Sequence, residues 1–131
     1  MDLQERKNKL TKREYIVTQK KGTETAFTGE HWDRHDEGGY ACKVCGQMLF
    51  TSDTKLDSSA GPEGLRGWPA FDQAIPGTVE YLDDDSYGMH RTEAVCSNCK
   101  AHLGHLFSDD ETKTGKHLCI NSCSLDFNPK K

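Results

Sequence analysis

Long apolar runs are missing from this chain. No stretch approaches the ~20 consecutive apolar residues that cross a bilayer as a helix, and hydrophobic residues make up only 34% of the 131. The opening MDLQERKNKL has no apolar signal core, so a cytoplasmic protein without a membrane partner is expected. Excess positive charge is missing as well. A formal net charge of -4 leaves nothing to attract nucleic acid over the whole surface. The one basic cluster, Arg6, Lys7, Lys9, Lys12 and Arg13 with Lys20 and Lys21 beyond, reads as a solvated, frayed arm. There is no glycine-rich phosphate loop, which removes the usual signature of a nucleotide cofactor. Helical periodicity of any length is absent after residue 15. No internal repeat is found except a Cys-x-x-Cys pair that occurs twice.

What remains is short alternating runs between turns. Tyr15-Ile16-Val17-Thr18 reads as a brief strand, and residues 40–44, 47–50, 78–82 and 87–95 as further strands. Residues 117–121 and 124–127 together read as the last strand, and Asp83-Asp84-Asp85-Ser86 as an acidic turn. The pattern predicts a mainly β fold of antiparallel sheets with little helix. Length allows one domain, taken as residues 15–131 behind a flexible or helical arm of residues 1–14. His31 and His35, in the turn-rich stretch 31–39, are expected at the surface. Trp68-Pro69-Ala70-Phe71 breaks a long polar stretch with two aromatics beside a proline, which suits either core packing or the wall of a pocket.

Six cysteines in a reducing compartment point to metal ligands and a reactive thiol before disulfides. Cys42 and Cys45 form one Cys-x-x-Cys knuckle, backed by Gly46, and Cys96 and Cys99 form the other. Two residues between thiolates let both reach one metal. The two pairs together predict a four-cysteine zinc staple, which is closed and therefore structural. Its binding would add to the folding of a small, polar chain. A thioredoxin-like redox pair needs only one such motif and a βαβ setting, and no βαβ pattern is present.

That assignment leaves Cys119, Cys123 and the pair His102-x-x-His105. The histidines suit a second zinc, although a third ligand is not obvious, or they suit the surroundings of a reactive thiol. Imidazolium near a thiol raises its thiolate fraction and can protonate an oxygen that gains charge. On a strand, Cys119 and Asn121 point to the same face. The plain alternative is that Cys119 is a small buried apolar residue.

From Phe27 to Phe127 the chain resembles the methionine-R-sulfoxide reductases of the zinc-containing MsrB type. The segments that carry the resemblance are Tyr40-x-Cys42-x-x-Cys45-Gly46, Gly67-Trp68-Pro69-Ala70-Phe71, Arg91-Thr92-Glu93, Cys96-x-x-Cys99-x-x-His102-Leu103-Gly104-His105-Leu106-Phe107 and Cys119-Ile120-Asn121-Ser122. The resemblance implies two antiparallel β-sheets (an MsrB-like β-tent) and one structural zinc ion on Cys42, Cys45, Cys96 and Cys99, remote from the active site. It implies reduction of (R)-methionine sulfoxide in proteins, with Cys119 as nucleophile. His102, His105 and Asn121 surround the sulfoxide oxygen, Trp68 receives the S-methyl group, and Phe71 and His117 contribute to substrate binding. Cys119 becomes a sulfenic acid that thioredoxin or another external thiol reduces. A monomer is expected. The alternative is a zinc-stapled domain that binds methionine-containing partners without turnover.

The chain departs from that family in three places. His117 stands where an arginine is common, which predicts a higher Cys119 pKa and a greater loss of activity above pH 7. Residues 58–66 hold no resolving cysteine, so the remaining free thiol is Cys123. On a regular strand it would lie about 13 Å from Cys119, at ~3.3 Å per residue, beyond disulfide reach. An external reductant is therefore favoured. After Phe107 the chain reads Ser-Asp-Asp-Glu, read as loop variation.

Overall fold

The computed structural model of the chain describes residues 3–57, 65–85, 88 and 90–129. Two short helices come first, α1 (Leu3–Asn8) and α2 (Lys12–Gln19). Eight strands follow: β1 (Gly38–Cys42), β2 (Met48–Thr51), β3 (Ala70–Phe71), β4 (Val79–Asp84), β5 (Arg91–Cys96), β6 (His102–Ser108), β7 (Lys116–Ile120) and β8 (Leu125–Pro129). All pairings are antiparallel. They make a three-stranded sheet in the order β2-β1-β8 and a five-stranded sheet in the order β3-β7-β6-β5-β4. The mainly β, two-sheet architecture is the one expected from the sequence. Among the described residues no helix is long and apolar enough to cross a membrane.

The core lies between the sheets. Tyr40, Phe50, Phe71, Leu103, Leu118 and Leu125 are fully buried there. Phe71 stacks on Phe50 with ring centroids 4.2 Å apart and meets the edge of Tyr40 at 5.1 Å. Aromatic pairs of this kind add about 0.5–1.5 kcal/mol beyond the area they bury.

Four expectations fail, each for a local reason. Residues 15–18 are helical, not extended. Thr11 Oγ1 accepts the Glu14 N–H at 3.1 Å and Glu14 Oε1 accepts the Thr11 N–H at 2.9 Å, a capping box that satisfies two orphan donors. The helix so started buries Val17 and Thr18, and α2 packs on β6, so tertiary burial outweighs the β-branched preference for strand. The acidic run is not all turn, because Asp83 and Asp84 complete β4 opposite Thr92 and Arg91. The last strand is two strands in different sheets. A 3-10 turn at Ser122–Ser124 ends β7 and carries the chain to β8, so the regular-strand spacing from Cys119 to Cys123 does not apply. His31 is buried, not exposed: its ring lies 5.9 Å from Tyr40, and its Nδ1 accepts from Arg34 Nε at 3.2 Å. His35 is exposed as expected. The missing resolving cysteine concerns residues 58–66, of which 58–64 lie outside the described residues.

Candidate active site

The two knuckles are built alike. In the first, Gly46 N–H returns to the Cys42 carbonyl at 2.9 Å and Cys42 N–H to the Gln47 carbonyl at 2.8 Å. In the second, Lys100 N–H returns to Cys96 at 2.8 Å and Cys96 N–H to Ala101 at 3.0 Å. Each turn needs a left-handed residue, with φ of 84° at Gly46 and 66° at Lys100. Glycine meets this freely, while lysine carries the Cβ clash. All four sulfur atoms lie within 4.8 Å of one another, with Cys42–Cys99 and Cys45–Cys96 each at 3.6 Å. A tetrahedron with metal–sulfur bonds of about 2.3 Å has sulfur–sulfur edges of about 3.8 Å, so the donor set fits one four-thiolate ion. Hydrogen bonds from Cys42 and Cys99 hold the Cys96 thiol well below its ordinary value. Gln47 Nε2 also reaches its sulfur at 3.6 Å.

A separate cleft opens over β6 and β7. Cys119 lies in it with Thr23, Leu65, Trp68, Arg91, Gly104, His105, Phe107 and Asn121. Strand register sets the central pair: Cys119 is opposite His105 on β6 and opposite Ala70 on β3. Cross-strand partners share a face with Cβ atoms about 5 Å apart. Gly104 allows this approach, since a Cβ there would collide with the Cys119 carbonyl oxygen. Trp68 is held by its Nε1–H, which donates to the Glu24 carbonyl at 2.9 Å. Burial pushes the Cys119 thiol up to about 12, and the Glu24 carboxylate acts in the same direction. The thiol is therefore neutral at pH 7, and no imidazolium lowers it.

Both imidazoles are braced by carboxylates. His102 Nδ1 lies 2.8 Å from Glu93 Oε2 and His105 Nε2 lies 2.7 Å from Asp84 Oδ2. The two rings meet edge to face at 5.4 Å. Burial lowers the His102 pKa despite Glu93, so this ring is neutral, with its proton on Nδ1 facing the carboxylate. Its Nε2 is buried with no protein partner. Lys21 Nζ bridges the two carboxylates, 3.0 Å from Asp84 Oδ1 and 3.2 Å from Glu93 Oε1.

Of the predicted site residues, Cys119, His105, Asn121 and Trp68 meet in the cleft, and His102 stands behind His105. Asn121 is already engaged: its Oδ1 accepts the Glu24 N–H at 3.0 Å and its Nδ2 donates to the Leu103 carbonyl at 3.1 Å. Phe71 is core, not wall, because its ring is claimed by Phe50 and Tyr40. His117 is buried with its Nδ1 3.1 Å from Asp109 Oδ2, and the charges that act on Cys119 do not include it. The thiol is raised by burial and Glu24, not through His117.

Sequence reasoning gave no role to Glu24, Asp84, Glu93, Arg91 or Lys21. A period-2 reading of residues 91–95 would have found two of them, since it sets Arg91 and Glu93 on one face of β5. Glu24 and Lys21 left no local signal. They arrive on the segment after α2.

A family model described as "SelR domain" matches residues 10–129 of the chain. A mouse (Mus musculus) protein named "Methionine-R-sulfoxide reductase B3, mitochondrial" is 53% identical over 127 residues, covering 96% of this chain and 48% of the mouse protein. Proteins named "Peptide methionine sulfoxide reductase MsrB" from Thiobacillus denitrificans and Leptospira interrogans are each 47% identical over 122 residues. They cover 92% of this chain and 88% of their own length. The chain thus spans about half of the mouse relative and most of the bacterial ones.

Proposed function

The chain belongs to the SelR domain family, and from that premise we propose that it reduces (R)-methionine sulfoxide in proteins with Cys119 as nucleophile. The observation that carries the reading is one cleft holding a thiol, an indole and a carboxylate-braced imidazole side by side. The Cys119 sulfur attacks the sulfoxide sulfur while the S-methyl group lies against Trp68. An aromatic surface takes a methyl group without a polar partner, and a soft sulfur nucleophile suits a sulfur centre.

Because the thiol starts neutral, its proton must leave as the S–S bond forms, and the sulfoxide oxygen must gain protons. His105 stands between these two demands, opposite Cys119 with Asp84 behind it. Imidazole can take a proton at one moment and give it at the next. Arg91 lines the same cleft and offers positive charge where the oxygen becomes basic. The overall change is Cys119–SH plus sulfoxide to Cys119–SOH plus methionine. Two equivalents of an external thiol, thioredoxin in our reading, then return Cys119 to the thiol with release of water and a disulfide. Cys123 opens on a different crevice, beside Arg13, Glu14 and Thr28, which favours the external route.

In this reading the four-cysteine cluster holds one zinc ion that ties the knuckle after β1 to the knuckle after β5. Its contribution is to folding alone. Residues 15–131 act as one reductase domain and residues 1–14 as its arm, with α2 spanning the junction. A monomer is part of the same reading. The cytoplasm is our assignment, as six unpaired cysteines suit a reducing compartment. The test is reduction of the separate R and S epimers of a blocked methionine sulfoxide with dithiothreitol. Turnover of the R epimer alone, lost in Cys119→Ser, is expected. No turnover by folded, zinc-loaded protein would overturn the reading.

A further inference from the structure

Each imidazole of the site leans on a carboxylate, and both carboxylates lean on a single ammonium group. Lys21 enters the site by an unusual path. The Gly22 N–H turns back to the Ile16 carbonyl at 3.0 Å, which holds Lys21 in the left-handed region with φ 61°. A non-glycine residue in that region carries strain, and such strain persists where surrounding structure demands it. Here the outcome is that a side chain only 40% exposed delivers its Nζ onto two nearly buried carboxylates on β4 and β5. Among the described residues, the neighbouring cation Arg91 pairs with Asp84 alone, at 3.6 Å.

Resting on the reductase reading above, we propose that Lys21 is a positioning residue of the reaction, clamping Asp84 and Glu93 so that His105 and His102 keep fixed tautomers and face Cys119 and its substrate. The charge balance supports this. Asp84 and Glu93 bring two negative charges, and Lys21 and Arg91 bring two positive ones. These four charges cancel when the imidazoles are uncharged. Removing Lys21 leaves a net negative charge beside the rings, which draws a proton onto them. Among the described residues, the rings also face each other and Cys119 of β7, whose thiol is neutral at pH 7. The buried side chains of α2, Val17 and Thr18, do not titrate. A lysine that merely compensated buried charge would stabilise the fold without governing the protonation of the rings.

The experiment compares Lys21→Met, Lys21→Arg and, as a control on the same turn, the exposed Lys20→Met. All keep a Cβ, so the left-handed strain at residue 21 is unchanged. Ring 15N shifts of His102 are followed against pH, and kcat/KM for blocked (R)-methionine sulfoxide is measured over the same range. In Lys21→Met the His102 midpoint is expected to rise by about one unit, and kcat/KM at neutral pH to fall about tenfold. Lys21→Arg restores both to within about twofold, and Lys20→Met matches wild type. An unchanged His102 titration in Lys21→Met overturns the proposal, as does unaltered kcat/KM. If wild type itself reduced no sulfoxide, the reductase reading would fall, and the ring titration would still decide whether Lys21 governs the imidazoles.

Discussion

The chain holds two groups of thiols whose surroundings are opposite in kind. In the four-cysteine cluster every sulfur lies within 4.8 Å of the other three, and the backbone turns that set them are duplicated almost bond for bond. Around Cys119, among the described residues, no second thiol lines the cleft, and the neighbours are an indole, an imidazole and, further back, carboxylates. Four thiols packed together lose their protons to solvent as they bind a shared cation and are then chemically closed. One thiol set alone in a cleft keeps its proton and remains open to an incoming sulfur. The difference teaches that cysteine count is uninformative here. What divides structural from reactive cysteine is the identity of the atoms within about 4 Å.

The sharpest way to break this division is to remove one member of each group. Cys119→Ser is expected to lower reductase turnover by at least ~10⁴-fold while leaving zinc content and Tm close to wild type. Cys42→Ser is expected to lose the zinc ion and to drop Tm by more than about 10 °C. Scanning calorimetry and metal analysis on both variants would contradict the division if Cys119→Ser also shed metal.

The next effect is in thiol reactivity. A pKa of about 12 for Cys119 leaves a thiolate fraction near ~10⁻⁵ at pH 7, about 10³-fold below that of an ordinary cysteine. Alkylation of Cys119 in the metal-loaded protein should therefore be slow at pH 7 and climb about tenfold per pH unit through pH 9. Glu24→Gln should lower the midpoint, because the Glu24 charge opposes ionisation. His117→Arg should leave the curve in place, because His117 is turned toward Asp109. A plateau below pH 9 in wild type would contradict this account.

Smaller effects separate wall from core. Phe71→Ala should cost about 3–5 kcal/mol of stability, as for other buried aromatics, with KM for the sulfoxide little changed. Trp68→Ala should cost less stability and raise KM about tenfold, equivalent to roughly 1.4 kcal/mol of binding. Urea titration beside steady-state kinetics distinguishes them, and the reverse pattern would put Phe71 in the cleft.

The four-cysteine cluster was legible in the sequence because its members announce themselves by spacing, Cys42 with Cys45 and Cys96 with Cys99. Cys119, Trp68 and the histidine pair were legible through a family resemblance more than through periodicity. The carboxylate bracing was not. Asp84 sits in an acidic run that reads as turn, and strand pairing with Arg91 reveals it as interior. Glu24 and Lys21 lie on a segment whose path is fixed by contacts far away in sequence, such as Glu24 to Asn121 and to the Cys123 N–H at 2.9 Å. The helix at residues 12–19 was missed because β-branched side chains masked a capping box at Thr11 and Glu14. Local pattern identifies ligands and nucleophiles. It does not identify the charges that hold their partners in place.

The measurement that bears most directly on the division between the two thiol groups is a single turnover without reductant, trapped with dimedone and mapped by peptide mass spectrometry, with zinc assayed on the same sample. The account predicts one methionine released per chain from the R sulfoxide, a dimedone adduct on Cys119 and an unchanged zinc content. An adduct on Cys42, Cys45, Cys96 or Cys99, or release of zinc during the turnover, would contradict it.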